Sequence, residues 1–214
     1  MSKINIMNGD CMEYMAGLPD NAYELAIVDP PYGIGAGKMT MGSGRHDFKK
    51  GKDWDSLIPE KEYFAELFRV SQNQIIWGGN YFTEFLPVSP HWILWDKKNP
   101  NLSFAEGELA WVRKGSNLRI FQHYSAMVGA GGKIHPTQKP VALYKWLLSR
   151  YAKPGDRILD THGGSGSICI ACHDMGFDLD WIELDEDYYN AAMKRFNTHT
   201  ALGSLFEFEG GNIA

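Results

Sequence analysis

Asp29, Pro30, Pro31 and Tyr32 stand directly after the apolar run Leu25 to Val28. Residues of these types in this order describe a buried strand that ends by presenting a carboxylate, a backbone carbonyl and an aromatic ring. An exocyclic amine on a nucleobase has two N–H donors, a lone pair delocalised into the ring, and flat faces that stack. Asp29 can accept one N–H and the Pro30 carbonyl the other, while Pro31 fixes φ and removes an amide donor beside that carbonyl. Two acceptors draw the nitrogen toward a tetrahedral, nucleophilic geometry, and Tyr32 offers a stacking face. A strand closing in a Pro-rich turn would use the same residue types without any chemistry.

A second constellation follows the short strand Arg157 to Leu159: Asp160, Thr161, His162, Gly163, Gly164, Ser165, Gly166 and Ser167, then an apolar helix from Ile168. Glycines at a strand-to-helix turn let a ligand approach the backbone, and the helix start offers unpaired N–H groups. Glu183 closes the next strand, Leu179 to Ile182, 17 residues beyond Gly166, near where an acid binds ribose hydroxyls in nucleotide folds. Asp160 at the strand end would repel a pyrophosphate but suits an ammonium and a sulfonium, so the carboxylates favour a cationic cofactor over a dinucleotide. Glu183 also reads as one more solvated acid beside Asp185, Glu186 and Asp187. His162 is assigned no chemistry.

Cys169, Cys172 and His173 spell C-x-x-C-H, a haem-attachment spacing elsewhere. Here the run follows a glycine loop and lacks a second axial ligand at a known spacing, so it reads as the buried face of a helix and no metal is expected. Three cysteines are too few for a disulfide framework in 214 residues.

Strands are expected at Ile4 to Met7, Tyr23 to Val28, Gln74 to Trp77, Trp92 to Trp95, Glu108 to Val112, Arg157 to Leu159 and Leu179 to Ile182. Helices are expected near Cys11 to Gly17, Pro59 to Ser71, Tyr81 to Phe85, Pro140 to Tyr151 and from Ile168. Alternating strands and helices imply an α/β fold, one domain over 1–214, with a mostly parallel sheet covered on both faces. Gly33 to Asp53 and Arg113 to Lys133 lack apolar periodicity and read as loops.

The apolar content of 44% allows one substantial core. No stretch approaches a membrane span and the N-terminus lacks a signal core, so a cytoplasmic location with no membrane partner is expected. The net charge of −5 argues against adhesion to nucleic acid through bulk charge, but its distribution is uneven. Five bases stand against one acid between Gly33 and Lys52, and nine acids against two bases from Asp174 onward. One side of the molecule can therefore meet phosphates while the other repels them.

Taken together, Asp29 to Tyr32, the segment His135-Pro136-Thr137-Gln138-Lys139-Pro140 and the run Asp160 to Ser167 resemble three signature motifs of the DNA amino-methyltransferases. Their order resembles the β group of that family, and the likeness spans nearly the whole chain. The resemblance implies a seven-stranded Rossmann-like methyltransferase fold, S-adenosylmethionine as methyl donor, and a target base flipped out of DNA. It makes Asp29, Pro30, Pro31 and Tyr32 the holders of the target amine. It makes Asp10, His135, Thr137, Lys139, Asp160, Gly163, Gly164, Ser165, Gly166, Ser167 and Glu183 the cofactor set. Asp10 also reads as the cap of a helix beginning near Cys11, and Thr137 as the cap of the helix entered at Pro140.

Two departures stand out: Thr161 and His162 replace the family's usual Pro and Phe, and there is no large insertion to serve as a target-recognition domain. The implied activity is N6-adenine methylation of DNA, in a restriction-modification or an orphan setting. N4-cytosine methylation is the alternative, since the family's cytosine enzymes more often carry Ser at the position of Asp29. A non-catalytic module binding cofactor and nucleic acid is the alternative of another class. Loops 33–53 and 113–133 are expected to flank the base pocket, with Lys49, Lys50, Arg113, Lys114 and Arg119 on DNA phosphates. DNA is the expected partner, and a homodimer is left open.

Overall fold

The computed structural model describes residues 2–35, 55–99, 105–124 and 133–210. Its eight strands are β1 (Ile4–Asn8), β2 (Tyr23–Val28), β3 (Ser71–Trp77), β4 (Trp92–Asp96), β5 (Gly107–Val112), β6 (Arg119–Gln122), β7 (Arg157–Asp160) and β8 (Asp178–Glu183). They form one sheet in the order β1-β8-β7-β2-β3-β5-β4-β6. β5 runs antiparallel to both β3 and β4, and every other pairing is parallel.

Period-two alternation sends successive strand residues to opposite faces, and each face has its own core. Leu25, Ile27, Ile75, Trp77 and Ile158 pack on one side against Leu143, Leu147 and Leu148 of α3 (Val141–Tyr151) and Ile168 and Cys172 of α4 (Ser167–Met175). Ala26, Val28, Ile76 and Leu159 pack on the other against Met15 of α1 (Cys11–Ala16) and Phe64, Leu67 and Val70 of α2 (Lys61–Val70). Cys169 and Cys172 of the C-x-x-C-H run thus lie on the inner face of α4, both free and buried, while His173 is exposed. Each such side chain removed from water contributes about 1.5 to 3 kcal/mol, which fixes strand register and with it the positions of the residues at the strand ends.

Three sequence expectations need correction. Among the described residues the sheet has eight strands, not seven, because β6 forms within the segment 113–133 that reads as a loop. Its four residues are mostly exposed at the sheet margin and so carry no hydrophobic alternation to detect. The helix expected at Tyr81 to Phe85 is instead a 3-10 turn at Gly79–Tyr81 followed by a single turn closed by Phe82. Finally, a long helix without a counterpart in the sequence reading, α5 (Glu186–Gly210), follows β8. Asp185 caps its start, Oδ1 accepting from the N–H groups of Asp187 at 2.9 Å and Tyr188 at 3.2 Å. Among the described residues no helix is long and apolar enough to cross a membrane.

Candidate active site

Because β1, β2, β3, β7 and β8 are parallel, their carboxyl ends share one edge of the sheet, the edge where open α/β sheets place ligands. Asp29, Asp160 and Glu183 lie at three of these ends. A cavity of about 640 Å³ opens there, walled by Asp10, Asp29, Pro31, Tyr63, His135, Thr137, Lys139, Tyr144, His162, Gly163, Gly164, Ser165, Glu183 and Tyr188, among others.

The Asp29 turn is pinned by a residue absent from the sequence reading. Asp55, buried at 2% exposure, accepts from the N–H groups of Tyr32 at 2.6 Å and Gly33 at 3.0 Å. Tyr32 then folds back so that its hydroxyl donates to Asp29 Oδ1 at 2.5 Å, while its ring stacks on Tyr81 with centroids 5.0 Å apart. The second carboxylate oxygen of Asp29 pairs with the ammonium of Lys139. Among the described residues no hydrogen bond reaches the Pro30 carbonyl, which leaves it an acceptor in keeping with the role of Pro31.

Lys139 was expected with the cofactor set; although it lines the cavity, its ammonium engages Asp29 and also Glu108 Oε2 at 3.2 Å. Burial alone would lower Lys139, but the two carboxylates outweigh it and hold the ammonium above the usual lysine range. Burial pushes Asp29 above its ordinary value, with Lys139 pulling the other way. Ser167 Oγ ties this segment to the cofactor loop by donating to the Lys139 carbonyl at 2.7 Å. Arg195 of α5 fastens the same loop, donating to Ser165 O at 2.8 Å and Ser167 Oγ at 2.9 Å.

The glycine loop approaches its support closely. A Cβ on Gly163 would lie 1.9 Å from the buried Trp181 ring, so only glycine lets the chain pass there. Glu183 is aimed by backbone amides: Gly164 N–H donates to Oε2 at 2.7 Å and Asp185 N–H to Oε1 at 2.8 Å. Asp10 caps α1 through Met12 N–H at 2.6 Å and also lines the cavity. Thr137 does not cap α3, whose N-cap is Pro140; its hydroxyl meets His135 Nδ1 at 3.1 Å.

Asp160, Gly166 and Ser167 lie behind the cavity wall, not on it. Asp160 is 2% exposed, and its carboxylate accepts from His162 N–H at 3.1 Å. Burial, with Asp29 and Glu183 nearby, pushes it up to about 8. Burial also holds His135 down at about 3 and His162 down at about 4, so both imidazoles are neutral. Tyr63 of α2, absent from the sequence reading, bonds Thr161 Oγ1 at 2.8 Å and lies 3.4 Å from His162 Nδ1. The polar pair replacing the family's Pro and Phe is therefore held by a hydroxyl from the facing helix.

With both histidines neutral, the described residues of the wall carry Asp10, Asp29, Glu60, Glu62, Glu183 and Asp185 against one cation among them, Lys139, itself paired. Such a cavity repels a polyphosphate and attracts a ligand of net positive charge.

The basic residues behave differently. Lys49 and Lys50, with most of loop 33–53, fall outside the described residues. Arg113 and Lys114 follow β5 at its far end, Arg113 N–H donating to Gln74 O and Asn73 Nδ2 to Lys114 O at 3.0 Å. Arg119 starts β6 beside Ile93 at the start of β4. All three therefore lie on the sheet edge opposite the cavity, and the expectation that they flank the base pocket is not met. The antiparallel direction of β5 is the reason for Arg113 and Lys114, and β6, starting at that same edge, is the reason for Arg119.

A family model described as DNA methylase matches residues 77–194. The chain is 26% identical to the type II methyltransferase M.HinfI of Haemophilus influenzae, over 89% of this chain and 67% of that one. It is 27% identical to the putative methylase YubD of Escherichia coli (strain K12), over 88% of each. Its fold matches the M1.HpyAVI–SAM complex with a TM-score of 0.62 at 22% identity, covering 90% of this chain and 99% of that one. It also matches the PvuII cytosine-N4-specific DNA methyltransferase with a TM-score of 0.60 at 14% identity, covering 92% and 87%.

Proposed function

The chain belongs to the DNA methylase family of N6 and N4 amino-methyltransferases, and within it we propose that this protein methylates the N6 amine of adenine in DNA, using S-adenosylmethionine. One observation carries the reading: the Asp29 carboxylate and the Pro30 carbonyl end a buried strand beside an acid-lined cavity. Asp29 at that position, where the family's cytosine enzymes more often carry Ser, favours adenine over cytosine. The target base leaves the duplex to reach this strand end, at a cost of a few kcal/mol offset by stacking and backbone contacts.

The cavity suits the cofactor by charge. S-adenosylmethionine carries an ammonium, a sulfonium and one carboxylate, a net charge opposite to that of the wall. When bound it supplies an electrophilic methyl group. Glu183 would receive the ribose hydroxyls, Asp10 and His162 the adenosyl side, and the loop Gly163 to Ser165 the methionine side, with Asp160 behind it adding negative field.

Asp29 and the Pro30 carbonyl would accept the two amine N–H groups, localise the nitrogen lone pair and stabilise positive charge as it grows there. The Tyr32 hydroxyl holds Asp29 Oδ1 in this structure, so the incoming N–H takes its place. Tyr32 would then stack on the base. No covalent enzyme intermediate is required, because alignment and two acceptors lower the barrier.

A labelled-methyl assay on DNA tests the reading with wild type and Asp29→Ala. The variant should lose at least about 100-fold in transfer while titration calorimetry shows cofactor binding retained. Full transfer by Asp29→Ala rejects the assignment, and cofactor binding by the wild type with no transfer to any DNA supports a non-catalytic module.

A further inference from the structure

Resting on the reading of Asp29 as the acceptor of the target amine, we propose that Glu108 is a positioning residue for that carboxylate, acting through Lys139. Four charges alternate in a row: Lys97 after β4, Glu108 on β5, Lys139 before α3 and Asp29 after β2. Glu108 Oε1 meets Lys97 Nζ at 2.5 Å, and its Oε2 faces Lys139 Nζ at 3.2 Å. Oε2 is buried and receives no hydrogen bond among the described residues, so its partner is the ammonium charge itself. Lys139 is 1% exposed and lies 5.1 Å from the centroid of the Trp77 ring, which prevents the ammonium from swinging out to water.

The antiparallel turn of β5 brings Glu108 to the cavity edge. Its register partner is Trp95 of β4, so the residue sits beside the end of that strand, not its start. Neither an amine-binding motif nor a cofactor loop contains it.

The consequence is electrostatic. An isolated Lys139–Asp29 pair would be neutral, and an amine gaining positive charge would find no net negative field. Lys139 shared between two carboxylates fixes the direction of Asp29. Lys97 brings the row of four to neutrality, but it stands on the far side of Glu108 from Asp29, so at the acceptor the negative charge of Glu108 offsets Lys139 at shorter range than Lys97 offsets Glu108. Glu108 therefore keeps the lysine from cancelling the acceptor it orients.

The groups facing Asp29 are Tyr32, Lys139 and Glu108, with Tyr63, Tyr144 and Asp160 farther off; those facing Glu108 are Lys97, Lys133, Lys139, Tyr32 and Tyr144. Removing the Glu108 charge lowers the Asp29 titration, and removing the Lys97 charge raises it.

Single-turnover methyl transfer from pH 5 to 9, with cofactor affinity measured alongside, tests the inference in Glu108→Gln, Glu108→Asp and Lys97→Met. Glu108→Gln should slow transfer about tenfold or more with cofactor affinity unchanged, and its acid limb should move down by about half a unit. Lys97→Met should move the limb up, and Glu108→Asp should restore most of the rate. A wild-type rate and limb in Glu108→Gln, a rate loss without a limb shift, or limbs moving the same way in both variants overturns the proposal. If Glu108→Gln does not fold, an unmoved limb in Lys97→Met overturns it instead. An inactive wild type, or an active Asp29→Ala, would remove the underlying reading and the inference with it. An active wild type, a dead Asp29→Ala and an indifferent Glu108→Gln would remove only the inference.

Discussion

The Tyr32 hydroxyl donates to Asp29 Oδ1 at 2.5 Å, so the aromatic and acidic members of one four-residue motif satisfy each other. An incoming amine N–H must displace that hydroxyl. Tyr32→Phe removes the competitor and keeps the stacking face, so transfer should stay within about tenfold of wild type. Tyr32→Ala removes the face, and base stacking is worth about 1 to 3 kcal/mol, so transfer should fall roughly 10- to 100-fold. Equal losses in the two variants would show that the hydroxyl, not the ring, carries the contribution.

Gly78, after β3, sets where Tyr32 rests. A Cβ there would lie 2.2 Å from the Tyr32 ring, and its φ of +69° disfavours any side chain. Gly78→Ala should displace Tyr32 from Tyr81 and reduce DNA methylation at least tenfold, with cofactor affinity near wild type. Wild-type transfer by Gly78→Ala would mean that the ring position is immaterial.

The pH dependence of transfer should come from Asp29 and not from histidine. Asp29 accepts the amine N–H at full strength only as the carboxylate, and burial raises its titration, so transfer falls as pH drops through a value above the ordinary range near 4. His135 at about 3 and His162 at about 4 are already neutral at pH 6. A rate step centred near 6.5 that disappears in His135→Gln or His162→Gln would contradict this assignment.

Asp160 makes the cofactor-free protein sensitive to alkali. Its folded value of about 8 lies above the unfolded value near 3.9, so folding takes up a proton between the two. The associated stability is full below about pH 4 and is lost as pH rises through about 8. Asp160→Asn, which can still accept from His162 N–H, removes this dependence. Its stability relative to wild type in urea unfolding should rise by a few kcal/mol between pH 4 and 8, and a constant difference would show that Asp160 is not raised.

The sheet and the motif-bearing turns were legible in the sequence because strand alternation and Gly/Pro punctuation act over a few residues. Leu25 to Val28 announces a buried strand, and Gly163 to Ser167 announces a turn into a helix. The pairing of Lys139 with Asp29 and Glu108 was not legible, since it joins three segments whose proximity depends on the antiparallel direction of β5. Asp55 and Tyr63 were missed for the same reason: each reaches the site through a tertiary contact. The far-edge position of Arg113 and Lys114 is not legible because it follows from the antiparallel direction of β5, and that of Arg119 because β6, short and exposed, leaves no periodic signal.

Mass spectrometry of nucleosides from DNA incubated with S-adenosylmethionine and either wild type or Asp29→Ala tests the central claim most directly. N6-methyl-2′-deoxyadenosine should accumulate with wild type and be absent with the variant. N4-methyl-2′-deoxycytidine in its place, or equal N6-methyl-2′-deoxyadenosine from both proteins, would contradict it.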